Sequence, residues 1–155
     1  MLYHIAQINI ARMLAPLDSP VMHDFVANLD RINALAESAP GFVWRLVGDG
    51  NDATSLRPFE DDRIIVNMSV WDSIETLFQY AYYSDHSDIF RRRAEWFEKM
   101  TTPSGALWWI EAGHTPTVAE AQEKLELIEH NGATPLAFTF KQRFTVAEMM
   151  AVQAG

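Results

Sequence analysis

From Arg63 to Trp71 the chain alternates without a break. Ile64, Val66, Met68 and Val70 form one wholly apolar face, and Ile65, Asn67, Ser69 and Trp71 form the other. A period of two over this length predicts a strand. Leu2 to Ile10 repeats the pattern, with His4, Ala6, Ile8 and Ile10 on one face and Tyr3, Ile5, Gln7 and Asn9 on the other. A fully solvated face carries more charge than Gln7, Asn9, Asn67 and Ser69 supply, and a dry core carries fewer amides. The half-polar face, with Trp71 in it, therefore predicts a cavity or an interface. The opposite faces, with Ile8, Ile10, Val66 and Met68, are predicted to pack on helices, which makes the amide face the side away from the helices.

The remaining elements follow from caps and breakers. Ser19-Pro20 opens a helix whose Met22, Phe25, Val26, Leu29, Ile32 and Ala36 recur at helical spacing, and Pro40-Gly41 ends it. Phe42 to Val47 reads as a strand, followed by a long polar loop over 48–62. Asp72-Ser-Ile-Glu75 reads as a capping box for a helix to about Tyr83, and Ser84 or Asp85 as the cap of a second helix to about Met100. Leu107 to Glu111 is a strand. Thr117-Val-Ala-Glu120 and Thr145-Val-Ala-Glu148 are capping boxes for two further helices, the first closed by Asn131-Gly132, with a short strand at Leu136 to Phe140 between them. The order β-α-β-β-α-β followed by an α-β-α tail predicts an α+β, ferredoxin-like split βαβ domain. It spans 1–155, with a core over about 1–112 and an extension over about 113–155.

Residues 78–100, FQYAYYSDHSDIFRRRAEWFEKM, mix aromatics, a histidine and three arginines. Read as one helix from 82 to 100, Tyr82, Tyr83, Ile89, Phe90, Trp96, Phe97 and Met100 share an arc. Asp88–Arg92, Arg91–Glu95 and Glu95–Lys99 form i,i+4 pairs on the wet side. That makes Arg91 and Arg92 a self-neutralised solvated face. His86 and Arg93 fall inside the apolar arc, where a histidine needs hydrogen-bond partners and an arginine needs an anion or carbonyls. They read either as core residues satisfied locally or as the border of a pocket. In the second case His86 is predicted to be at least half buried and to move protons, with Arg93 holding an anion.

Composition removes several classes. The net charge of −9 argues against general nucleic-acid binding. The absence of cysteine excludes thiol nucleophiles, disulfides and cysteine-ligated metals, and fits a cytoplasmic setting. The N-terminus reads as no signal peptide, and no apolar run approaches a membrane span. Glu111-Ala-Gly-His114 is too sparse for a metal site, and no GxSxG-type nucleophile motif is present.

APGFVWR (39–45), NMSVWDS (67–73), SDHSDIFRRRAEWF (84–97) and LWWIEAGHTPTVAEA (107–121) together resemble a bacterial family called domain of unknown function 3291. That family is grouped with the dimeric α/β-barrel superfamily, which includes antibiotic-biosynthesis monooxygenases, haem-degrading oxygenases and chlorite-dismutase-like proteins. The resemblance implies a homodimer whose two sheets face each other as a barrel. In the cofactor-free monooxygenase branch, an asparagine and a tryptophan four residues apart on one strand, with a nearby tyrosine, bind a phenolic polyketide. Asn67 and Trp71 have that spacing; Leu77 stands where the tyrosine is expected, and Tyr80 is the nearest candidate. In the haem-degrading branch the comparable residues are Asn9 and His86, the histidine at a different spacing. The expectation is thus a homodimer with a small aromatic ligand, no nucleic-acid or membrane partner and no cofactor. Asn67, Trp71 and His86 are the catalytic candidates, and Asn9, Gln7, Tyr80 and Arg93 line the ligand. The rival expectation is a dimer that binds without catalysis or serves only a structural role.

Overall fold

The computed structural model describes residues 2–48, 54, 59–84 and 86–154. Its sheet contains β1 (Tyr3–Met13), β2 (Phe42–Arg45), β3 (Ile64–Trp71), a two-residue β4 (Phe97–Glu98) and β5 (Gly105–Glu111). The strands lie in the order β2-β3-β1-β5 and all pairings are antiparallel; β4 pairs with the far end of β1 beside β5. This is the α+β ferredoxin-like arrangement that the element order predicts. The helices are α1 (His23–Ser38), entered through a 3-10 turn at Pro20–Met22, α2 (Ile74–Tyr83), α3 (His86–Arg91), α4 (Val118–Asn131) and α5 (Val146–Ala154).

The two faces of the sheet are covered from opposite sides, and the assignment of sides differs from the sequence expectation. Ile5, Trp71 and Leu107 pack with Ala36 of α1 and with Ile74 and Leu77 of α2. Met13 and Ile65 pack with Met22, Phe25, Ile89 and Trp96. The face that carries the amides therefore lies on the side of α1, α2 and α3. The apolar face of Ala6, Ile8, Val66, Met68, Val70 and Trp108 packs on Ala121 and Leu125 of α4, with Phe59 and Met100 completing the cover. Ile8 and Met68 are each 1 % exposed within a single chain. Both faces offer apolar surface, so alternation alone does not decide which one receives the crossover helices.

The segment after α2 also differs. A single helix to Met100 would hold Trp96 and Phe97 on one arc. Instead α3 stops at Arg91, a 3-10 turn spans Arg93–Glu95, and Phe97–Glu98 pairs with β1. This lets Trp96 bury completely beside Met13 and Met22. The i,i+4 pairs are not formed: Arg91 binds Asp88, and Arg92 binds Glu95 and, across to α1, Asp24. At α2 the cap is Ser73, whose hydroxyl accepts from the Thr76 N–H, rather than Asp72. The Thr145–Glu148 box forms reciprocally. The tail strand reduces to isolated bridges, the main one joining Phe138 to Leu107 on the free edge of β5. Most of the predicted 48–62 loop lies outside the described residues.

Candidate functional site

Register across the sheet arranges the helix-side face in rows. One row is Phe42, Trp71, Ile5 and Trp109; the next is Arg45, Ser69, Gln7 and Leu107; the third is Asn67, Asn9 and Gly105. The first row is apolar, with Ile5 and Trp71 fully buried. The second and third hold the polar groups that alternation predicts to converge.

Those groups form one hydrogen-bonded chain. The Trp71 indole N–H donates to Ser69 Oγ at 2.8 Å. Gln7 Nε2 donates to Ser69 Oγ and to Asn67 Oδ1, both at 2.8 Å. Asn9 Nδ2 donates to Gln7 Oε1 at 2.9 Å. Gln7 is 5 % exposed, so without these partners its amide would cost about 1–3 kcal/mol. Asn9 and Asn67, directly opposite each other, are exposed, although their face has a helix layer.

The cause is the way α1 is seated. Its C-terminal end meets the sheet through Ala36 in the cluster around Trp71, and its start does so through Phe25 in the cluster around Met13. Its middle, with Leu29, Ile32 and Asn33, is only half buried. The helix thus bridges two apolar clusters, while Asn9 and Asn67 stay exposed on the sheet between them.

Tyr80 ties α2 to the sheet and to α1. Its ring stacks on Trp71 with centroids 5.0 Å apart, and its hydroxyl donates to Ile32 O at 3.1 Å. Burial pushes the Tyr80 hydroxyl well above the usual tyrosine range, an effect the Arg45 charge only partly offsets. It is therefore held as a neutral donor. Trp71 is 0 % exposed, with Phe42 against it edge-on at 5.5 Å and Tyr80 on its face. Both neighbours enclose the Trp71 ring, and its polar contact is the indole bond to Ser69.

Sequence reasoning missed Arg45. Its side chain is 8 % exposed, lies opposite Ser69 and reaches Glu37 at 3.4 Å. Simple alternation puts Phe42 and Arg45 on opposite faces, but a bulge between Phe42 and Trp44 shifts the phase and brings both to the helix side. Arg93 is not part of the amide network: it is exposed, lies over the Phe90 ring at 4.2 Å and donates to Phe90 O. His86 starts α3, and its side chain lies outside the described residues.

A separate cleft of about 370 Å³ borders the edge of β5 and includes Glu111, His114 and Glu120. There Glu120 Oε1 meets His114 Nε2 at 2.8 Å, and Glu120 Oε2 accepts from the Trp108 indole at 2.9 Å. Among the described residues no group of three metal-ligating side chains occurs, and no helix is long and apolar enough to cross a membrane.

With this geometry in view, comparison places the chain in a family. Residues 4–154 match the family described as Domain of unknown function (DUF3291), and the protein belongs to it. No functionally curated protein matches. Similar solved structures include a conserved protein from Methanosarcina mazei Go1 (15 % identity, 71 % of this chain and 93 % of that one, TM-score 0.49). SnoaB, a cofactor-independent oxygenase from Streptomyces nogalater, is 18 % identical over 72 % of this chain and 95 % of its own, with a TM-score of 0.44. A heme-degrading protein from Mycobacterium tuberculosis is 14 % identical over 76 % and 99 %, with a TM-score of 0.39.

Proposed function

We propose that the protein binds a small phenolic ligand over the exposed Asn9–Asn67 pair, and oxygenates it without a cofactor. The observation that carries this reading is the exposed Asn9–Asn67 pair on an otherwise helix-covered face, fixed from beneath by Gln7, Ser69 and Trp71. Amide N–H groups held in advance of reaction stabilise the oxygen of a phenolate or enolate. Dioxygen then reacts at the ring carbon, which turns a CH₂ into a carbonyl; the substrate supplies the electrons and the second oxygen atom leaves as water. Tyr80 and Trp71 brace the amides from the neighbouring row, and Arg45 adds a positive charge beside Ser69.

The second reading is a binding or structural protein without catalysis, favoured by the fact that Gln7, Asn67, Ser69 and Trp71 already bond to one another. Asn67→Leu separates the two. Gln7 keeps Ser69 as an acceptor, so the melting temperature is expected to stay level or rise, while binding and oxidation of a hydroxyanthrone probe disappear. Unfolding of Asn67→Leu, with no turnover by the wild type, would leave the amides a purely structural role.

We also read the working unit as a homodimer, as the family resemblance implies. Helices pack on both sheet faces within one chain, so a partner copy is not needed to bury the apolar clusters. Light scattering that gave the monomer mass at micromolar concentration would overturn this.

A further inference from the structure

The stretches FRRR at 90–93 and FKQR at 140–143 share a Phe-x-x-Arg pattern, and the fold builds both in the same way. Arg93 lies over the Phe90 ring at 4.2 Å and donates from Nη1 to Phe90 O at 2.9 Å. Arg143 lies over Phe78 at 4.8 Å and over Phe140 at 5.5 Å, and donates from Nε to Phe140 O at 3.2 Å. Tyr82 of α2 joins the two, its ring 5.8 Å from Phe90 and 5.6 Å from Phe140. Tyr82, Phe90 and both arginines are exposed. They form a continuous surface of rings whose contact chain ends in a stacked guanidinium on either side.

A guanidinium that is already stacked and tethered has less freedom to lose on binding. Each of these spends a single N–H on a carbonyl. Arg93 keeps the edge formed by Nε and Nη2, and Arg143 the edge formed by Nη1 and Nη2, so each retains a fork that can take a carboxylate with two parallel bonds. Among the described residues neither forms an ion pair, whereas Arg91 and Arg92 close by are neutralised by Asp88, Asp24 and Glu95. The chain has 21 acidic side chains against 12 Lys and Arg, so this pair of open cations beside exposed rings runs against the sign of the whole molecule. Exposed aromatics and arginine are also the residues in which the centres of protein interfaces are rich.

The charge balance chooses among occupants. A nucleic acid or an anionic membrane brings many charges against a chain of net charge −9, and only two open cations to meet them. Two copies set patch to patch would bring arginine against arginine. A short segment with an apolar anchor between carboxylates suits both the rings and the forks. We propose that this face docks an acidic peptide segment of another protein, with an aromatic anchor on Tyr82 and Phe90 and flanking carboxylates on Arg93 and Arg143.

The test is an anisotropy titration of the dye-labelled peptide Gly-Asp-Glu-Phe-Asp-Glu-Gly at low salt. Two counterparts run beside it, one with Asn and Gln for the acids and one with Ala for the Phe. Wild type should bind the first peptide about tenfold more tightly than either counterpart, the size of one charge-assisted bond or one seated ring. Arg93→Gln and Arg143→Gln should each weaken it about tenfold. Arg31→Gln, the same change of charge on the exposed side of α1, should leave it level. The two patch variants are independent, so a folding defect in one leaves the other to decide. No saturable binding of the first peptide, equal binding of its amide counterpart, or an equal loss in Arg31→Gln would overturn the proposal. Binding of phosphatidylserine vesicles instead, lost in Arg93→Gln, would overturn it in favour of a lipid surface. A dimer that falls to monomer in Arg93→Gln, with no peptide bound by wild type, would overturn it in favour of a second copy.

Discussion

Tyr80 joins α2 to the sheet and to α1, since its ring belongs to the Trp71 cluster and its hydroxyl ends on the backbone of α1. Burial, only partly countered by the Arg45 charge, raises its titration point above the usual value of about 10. A group whose folded value is raised contributes stability that is present below the unfolded value and is lost as pH climbs toward the folded one. Tyr80 is accordingly expected to show phenolate absorbance only as the protein unfolds in alkali. Phenolate absorbance from Tyr80 in the folded protein near the ordinary value, read by comparison with Tyr80→Phe, would mean that its ring is not enclosed.

Elements are where reading and structure part, and the reasons are local. The convergence of Gln7, Asn9, Asn67 and Trp71 was legible because a two-residue period leaves no other arrangement. The side was not legible. Val66 and Met68 promised a helix-packed face, and α4 from the tail, rather than α1 and α2, is what packs there. Arg45 was hidden by one bulged residue, and the break after Arg91 by the gain from burying Trp96 and pairing Phe97–Glu98 with β1. The turn from α1 into β2 was legible from Pro40-Gly41, and it carries a sharp constraint. Gly41 sits at φ +84°, and a Cβ there would lie 2.6 Å from Thr76 Cβ and collide with Asp72 Oδ1. Gly41→Ala should therefore cost clearly more than the ~1 kcal/mol of a left-handed alanine, because Asp72 and Thr76 at the start of α2 must also move. A denaturant midpoint unchanged from wild type would mean that the turn relaxes freely.

At the scale of the molecule, α4 turns a half-covered sheet into one enclosed on both faces, and Glu120 is where it is fastened. The carboxylate takes the Trp108 indole N–H from β5 and the His114 ring from the connecting loop, while its own backbone N–H is capped by Thr117. Partial burial pulls its titration point up, but the bonds from His114 and Trp108 outweigh this and the net shift is downward. A carboxylate with a lowered folded value contributes stability above its unfolded value and loses it as pH falls through the folded one. Acid should therefore loosen α4 from the sheet. Asp24, Asp61 and Glu95 are lowered as well, through Arg92 and Arg12, so the wild type alone cannot isolate this contribution. Glu120→Gln isolates it, since the amide oxygen still accepts from Trp108 but no longer titrates. The variant is expected to melt lower than wild type at neutral pH and to lose less on acidification, so that the two melting curves converge in acid. Parallel curves across the carboxylate range would show that the charge on Glu120 does not hold α4 in place, and would leave its seating to Ala121, Leu125 and the apolar face beneath them.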